Sequence, residues 1–355
     1  MKPAIQLTER GLYCAQGDFY IDPWRPVPRA VITHAHSDHA CRGSERYLTT
    51  NEGRAVLQER MGDHAVLETV AYGESLNWNG IKLSLHPAGH VLGSAQVRIE
   101  SAGHVSVVSG DYKIEPDRTC TPFEPVRCHL FLSESTFGLP VYRWPAAETV
   151  EKQINQWWAG NRSVGRSSVI YAYSLGKAQR ILAGLDPTIG PIITHGAVEP
   201  LNRAYRETGI FLPPTRTVSQ VADTQDFQGA MVLAPPSAQG TPWMRRFGEV
   251  SQAFASGWMQ IRGTRRRRAL DQGFVVSDHA DWPGLLKAID ETGAETIWVT
   301  HGYSSILVRW LREHGKDAHV LETQYRGEAG AGEPEEEPPG VLPEADPNHQ
   351  EPLVP

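Results

Sequence analysis

The stretch Thr33-His34-Ala35-His36-Ser37-Asp38-His39 follows the apolar run Ala30-Val31-Ile32. An apolar run that ends in polar positions reads as a buried strand delivering side chains to a site at its C-terminal end. His34 and His36 are two apart and share one face of an extended backbone. Asp38 and His39 follow where the chain can turn and bring a second pair of ligands alongside. Imidazoles and a carboxylate at this spacing suit Zn²⁺, Mn²⁺ or Fe²⁺. Surface or helix-capping histidines are the ordinary alternative, and this spacing argues against them.

Working outward, residues 5–33 hold three β-type runs, Ile5–Cys14, Asp18–Ile21 and Ala30–Thr33, separated by Gly and Pro signals. Asp22 closes the second run, where it either orients a metal-ligating histidine or shapes the turn before Pro23. A helix is expected after His39, a strand at Tyr47–Thr49, and a helix capped by Asn51 running to about Met61. Ile81–His86 alternates as a half-buried strand and leads into His90, flanked by Gly89 and Gly93. Gln96–Glu100 and His104–Ser109 form a hairpin that ends in Gly110-Asp111, and Leu130–Leu132 leads to Glu134.

From about residue 146 the rhythm changes to alternating helix and strand, the pattern of a parallel sheet with covering helices. Helices are expected near 147–159, 175–185, 197–207 and 242–248, with strands at Val169–Ala172, Pro191–Thr194 and Ala230–Ala234. Ser174 and Lys177 lie at a strand-to-helix junction, a weak phosphate-seat signal. Ser256 and Gly257 lie in a second small-residue loop. Phe274–Val276 then ends in Ser277-Asp278-His279, and Thr296–Thr300 ends in His301. The strand-end logic of the first third has returned, so one domain is interrupted by another.

Collected by chemistry, His34, His36 and His90 form one metal position and Asp38, His39 and His301 a second, with Asp111 bridging. Two divalent ions in such a site activate a hydroxide and clamp a phosphoryl oxygen. One ion would suffice for lactone, thioester or β-lactam hydrolysis. Catalytic work falls to Asp38, Asp111, Glu134 and His279. His279 serves as general acid for a leaving oxygen and Glu134 as its orienting partner. A buried strand-end His and a helix-capping Glu are the plain alternative for that pair.

Composition excludes several classes. No run of about 18 apolar residues and no basic-then-apolar start occurs, so a cytoplasmic protein with no membrane partner is expected. Cys14, Cys41, Cys120 and Cys128 form no CxxC pair and read as reduced thiols. The formal charge of −7 resides in the tail, because eight acidic and no basic residues follow Gly327. That Pro-, Gly- and Glu-rich tail is expected to be disordered. In the near-neutral remainder, Arg265, Arg266, Arg267 and Arg268 form a basic cluster, either a contact for nucleic-acid phosphates or a solvated loop.

His34–His39 matches the HxHxDH signature of the metallo-β-lactamase superfamily, with Asp22, His90 and Asp111 where its other motifs fall. Pro87–Ala95 (PAGHVLGSA), Ser133–Gly138 (SESTFG), Ala172–Gln179 (AYSLGKAQ), Ala255–Met259 (ASGWM), Ser277–Asp281 (SDHAD) and Thr300–Gly302 (THG) resemble its β-CASP branch. The resemblance covers roughly residues 5–325. It implies an α/β fold, an αββα sandwich with an inserted smaller α/β domain, binding two Zn²⁺ or Mn²⁺ ions. The divisions it implies are 1–145 and 269–326 for the sandwich, 146–268 for the insert and 327–355 for the tail. By position Glu134 matches motif A, His279 motif B and His301 motif C. The Ser174–Lys177 and Ala255–Met259 loops match segments that contact phosphates. The short insert and the absence of appended RNA-binding domains depart from the ribonuclease members.

The branch cleaves nucleic acids. His301 at motif C is commoner among RNA-processing members. The compact length, short insert and the spelling Val275–Trp282 (VVSDHADW) look most like bacterial ligase-associated DNA exonucleases. The expectation is therefore a DNA exonuclease of DNA repair and end processing, partnered by an ATP-dependent DNA ligase and a helicase. An RNA-processing exo- or endoribonuclease is the alternative. A non-catalytic binding subunit conflicts with the complete ligand set, and a small-molecule hydrolase leaves Glu134 and His279 unexplained.

Overall fold

The computed structural model describes residues 4–221, 227–261 and 270–325. Arg265, Arg266, Arg267, Arg268 and the acidic tail lie outside the described residues. The first sheet holds β1 (Gln6–Thr8), β2 (Gly11–Cys14), β3 (Phe19–Ile21), β4 (Arg29–Val31), β5 (Arg46–Thr50) and β6 (Leu67–Val70) in sequential order. The run Ile5–Cys14 is thus two antiparallel strands rather than one, paired Thr8 to Gly11 across the turn. No helix follows His39. The loop instead folds on itself through Ala40 N donating to His36 O at 2.9 Å. Helix α1 (Arg54–Met61) starts at Gly53, not Asn51, because the Thr50 hydroxyl accepts from Gly53 N at 2.9 Å.

The second sheet begins with β7 (Ser75–Trp78), β8 (Ile81–Pro87), β9 (Ala95–Ser101), β10 (His104–Val108) and β11 (Leu130–Ser135). The chain then builds a third sheet from α2 (Ala147–Ser163), β12 (Ser167–Tyr171), α3 (Lys177–Ala183), β13 (Ile192–Thr194), α4 (Glu199–Glu207), β14 (Arg216–Thr217), β15 (Met231–Ala234), β16 (Val250–Ala255) and β17 (Gln272–Phe274). All its pairings are parallel, in the order β14-β13-β15-β12-β16-β17. This sheet reaches Phe274, past the 268 boundary read from the sequence. The segment near 242–248 is a 3₁₀ stretch, Pro242–Phe247, ended by Gly248. After α5 (Trp282–Thr292), strand β18 (Thr296–Gly302) returns to the second sheet beside β11, followed by α6 (Ser304–Glu313) and β19 (Asp317–Val320).

Alternation of side chains explains the layers. Phe19, Ile21, Val31 and Leu48 of the first sheet meet Leu83, Leu85, Val97 and Leu132 of the second in one core. The opposite face of the second sheet, through Val107, Phe131 and Val299, buries Leu285 and Ile289 of α5 and Leu307 and Leu311 of α6. Val56 and Leu57 of α1 cover the outer face of the first sheet, in a core that also holds Trp158 of α2 and Ile170 of β12. The αββα sandwich is therefore present, with a further α/β layer built on α1. No helix among the described residues is long and apolar enough to cross a membrane. All four cysteines are free.

Strands β10, β11 and β18 are parallel neighbours. Their C-terminal ends open on one edge, which puts Asp111, Glu134 and His301 side by side. Gly110 makes the turn into Asp111 at φ +57°, and a Cβ there would stand 2.5 Å from the Thr33 hydroxyl. Gly110→Ala is expected to lower unfolding free energy by about 2 kcal/mol or more, from the left-handed backbone and the clash. Denaturant melts check this, and a loss within 0.5 kcal/mol, about that of an ordinary surface change, would contradict it.

Candidate metal centre

The loop after β4 turns three imidazoles inward. His34 and His39 are buried, and His36 is partly exposed along a cleft of about 460 Å³. His90 joins them from the loop after β8, where Gly89 packs so closely that a Cβ would collide with the Lys113 carbonyl. The donor atoms of His34, His36, His90 and Asp111 lie within 4.8 Å of one another, and so do those of His39, Asp111 and His301. Asp111 serves both groups with different oxygens. Its Oδ2 is 3.4 Å from His34 Nε2 and 3.8 Å from His90 Nε2, while Oδ1 is 3.6 Å from His39 Nε2 and 3.1 Å from His301 Nε2.

The residues fit two divalent ions. His34 Nε2 and His39 Nε2 are buried without a hydrogen-bond partner, and His301 Nε2 and Asp111 Oδ1 face each other there, 3.1 Å apart and off hydrogen-bond geometry. Buried polar atoms normally have one, so four in a single pocket point to an ion. The outward nitrogens explain which atom each ring presents. Thr33 donates its hydroxyl to Asp22 Oδ2 at 2.5 Å and so accepts from His34 Nδ1 at 3.0 Å. His39 Nδ1 lies 2.7 Å from Asp22 Oδ2, and His90 Nδ1 lies 2.7 Å from the Asp278 carbonyl. His36 is reversed. Its Nε2 lies 3.3 Å from the Leu175 carbonyl, which turns Nδ1 toward His90 Nε2 at 3.1 Å.

Electrostatics agree with this arrangement. Burial drives His34 and His90 well below the usual imidazole range and lowers His36, leaving neutral rings, the metal-binding form. Burial alone would lower His39, but Asp111, Asp38 and Asp22 push it up to about 10. Burial would raise Asp111, yet His39, His279, His301 and His34 hold it well below the carboxylate range. The carboxylates on this side therefore call for positive charge, which a cation supplies as well as a proton.

Glu134, fully buried, accepts from the backbone N of Tyr112 at 2.9 Å and of Thr136 at 3.2 Å. Both its oxygens face His279 Nδ1, at 2.8 and 2.9 Å. The Glu134 carboxylate thus fixes the Nδ1–H tautomer, and Nε2 is the nitrogen that can exchange a proton with a bound molecule. His279 lines the same cleft as Asp111, and its ring centroid is 4.7 Å from that of His90.

Other expected site residues stand elsewhere. Asp38 lies at the cleft with Oδ2 3.8 Å from His39 Nε2, outside both groups of converging donors. Ser174 lines the cleft. Lys177 does not offer its ammonium there. It is fully buried, with Nζ 3.5 Å from Asp278 Oδ1 and 4.6 Å from the Tyr173 ring centroid. Ser256 is buried as a cap, its hydroxyl accepting from Trp258 N at 3.3 Å. Gly257 is packed under Phe137, which leaves no room for a Cβ. Among the described residues that line the cleft, none of these three appears. Arg265–Arg268 lie outside the described residues.

Two participants escaped the sequence reading. Tyr325 is buried and stacks on His39 with centroids 4.5 Å apart at 11°, donating to the Asp22 carbonyl at 3.1 Å. Arg180 reaches the carbonyls of Ser277 and His90 from α3 and pairs with Asp117 at 2.9 Å. Asp22→Ala removes the acceptor that orients His39 directly and His34 through Thr33. Metal affinity is expected to fall about 10- to 100-fold, as read by chelator competition. Unchanged affinity would mean that the rings are held by other contacts.

No protein-family model matches the chain. It is 30% identical over 322 residues to a probable DNA ligase of Opitutus terrae, covering 90% of this chain and 31% of that one. It is 32% identical over 157 residues to the endoribonuclease YSH1 of Eremothecium gossypii, covering 44% and 19% respectively. The chain thus spans under a third of either relative. A crystal structure of a protein of unknown function from Enterococcus faecalis shares the fold, with TM-score 0.53 and 12% identity over 84% of this chain and 80% of that one. Layering and strand-end donors are consistent with a metallo-β-lactamase fold of the β-CASP kind, and over part of its length the chain is similar to the YSH1 endoribonucleases.

Proposed function

We propose that the chain is a metal-dependent phosphodiesterase acting on nucleic-acid strands, and specifically a DNA exonuclease of repair and end processing. The carrying observation is the pairing of a two-sided Asp111 with the Glu134–His279 dyad on one cleft. When bound, two divalent ions supply Lewis acidity and lower the pKa of water for in-line attack on phosphorus. His34, His36 and His90 would hold one ion, His39 and His301 the other, and Asp111 both, with Asp38 beside the second. Zn²⁺ and Mn²⁺ both suit this donor set. His279 starts as the imidazolium, its charge stabilised by Glu134 at Nδ1, and passes the Nε2 proton to the departing oxygen, which leaves the ring neutral.

The relative named as a probable DNA ligase, matched across 90% of this chain, favours DNA, while an ATP-dependent ligase and a helicase as partners rest on the family resemblance of the motifs alone. The relatives named endoribonucleases favour the second reading, an RNA-processing enzyme. Matched DNA and RNA oligonucleotides labelled at either end separate the two, and faster release from RNA would overturn the DNA assignment.

His34→Ala and Asp111→Ala are expected to abolish nucleotide release in Mn²⁺ or Zn²⁺, and retained activity would sink the metal mechanism. His279→Ala is expected to lose about 10²- to 10⁴-fold on an oligonucleotide. It should lose far less on bis(p-nitrophenyl) phosphate, whose leaving group departs without a proton. Equal losses on both substrates would remove His279 from the general-acid role.

A further inference from the structure

The cleft that holds His36, Asp111 and His279 is also lined by Arg42 and Arg60, contributed by the His34–His39 loop's continuation and by the end of α1. Among the described residues neither arginine has a carboxylate within ion-pair distance. The acid nearest in sequence, Glu59, is taken by Arg203 of α4 at 2.7 Å. Both guanidinium groups are nevertheless held. Arg60 Nε donates to the Ala35 carbonyl at 3.1 Å, inside the metal loop, and Arg42 Nε donates to the Arg60 carbonyl at 2.7 Å. With Nε committed, each keeps its Nη1–Nη2 edge, the edge that grips a phosphate through two parallel hydrogen bonds.

Two fixed arginines beside a cationic metal centre repel it and one another until an anion arrives. Asp38 and Asp111 line the same cleft, and Asp38 acts on Arg60 through space, but neither is within ion-pair distance of either guanidinium, and Lys177 is spent on Asp278. We infer that Arg42 and Arg60 form a subsite for a phosphate flanking the scissile one, so that the strand enters across the α1 side of the cleft. This rests on the nucleic-acid reading above and goes beyond it by assigning the substrate's path.

The test uses Arg42→Gln, Arg60→Gln and the double variant in the full chain with Mn²⁺. Arg309→Gln, an exposed change on α6, is the control. On a labelled single-stranded oligonucleotide, KM is expected to rise about tenfold per arginine, the loss of one charge-assisted contact, with a smaller change in kcat. The loss should exceed that on bis(p-nitrophenyl) phosphate, which has no flanking phosphate. The slope of log binding constant against log salt should fall by about 0.7 per arginine on a single strand, and Arg42→Lys should restore the slope but only part of KM. A slope and KM equal to those of Arg309→Gln, or equal losses on the two substrates, would overturn the subsite. Fluorescence anisotropy of the same oligonucleotide reads the subsite without cleavage. A wild type that binds but does not cut refutes the phosphodiesterase reading alone, and one that does not bind refutes the subsite.

Discussion

The buried carboxylate of Asp22 is the constraint on which the metal centre depends. It accepts from Thr33 N at 2.7 Å and from the Thr33 hydroxyl, and faces His39 Nδ1. One side chain thereby fixes the start of the histidine loop, the tautomer of His39 and, through Thr33, that of His34. Asp22 itself sits at φ +42°, a conformation that Asp tolerates better than most residues. Burial raises its pKa, against the pull of His39 and Thr33. That environment persists because Tyr325 closes it from the other side.

Around that anchor, three parallel strand ends supply the remaining chemistry. The sandwich sets the spacing of Asp111, Glu134 and His301, since neighbouring strands are about 4.8 Å apart. Loop residues then only need to approach that edge, as His34, His36, His39 and His90 do. Rigid strands carry the groups shared between the two metal positions and the proton donor's partner, while loops carry the ligands specific to each.

The candidate ligands were legible because each follows a short apolar strand and precedes a turn, a local pattern. The pairing of Glu134 with His279 was legible from chemistry, since a proton donor for phosphodiesters needs an orienting acid. What local pattern could not supply was burial set by distant segments. Lys177 reads as a helix-start cation, yet Asp278, far along the chain, draws it inward. Ser256 reads as a ligand-facing hydroxyl but is spent on its own turn. Tyr325 and Arg180 carry no motif at all, because their contacts exist only after β18, β19 and α3 have packed. The turn after His39 was misread for a simpler reason. Ala40–Arg42 resembles a helix start, but Gly43 at φ +94° breaks it at once, and the metal loop needs its polar side chains inward and its backbone tightly turned.

The reversed ring of His36 has a consequence for how the two halves of the molecule communicate. Its Nε2 is steadied by the Leu175 carbonyl, which belongs to the segment carrying the third sheet, while its Nδ1 faces His90. One candidate ligand is therefore steadied from outside the sandwich. Any motion that draws the Leu175 turn away frees the ring to rotate and weakens the ion's hold. Thermodynamic reciprocity then requires the ion to resist that motion with the same free energy. A single backbone oxygen of the third-sheet segment thus takes part in orienting a candidate ligand of the sandwich.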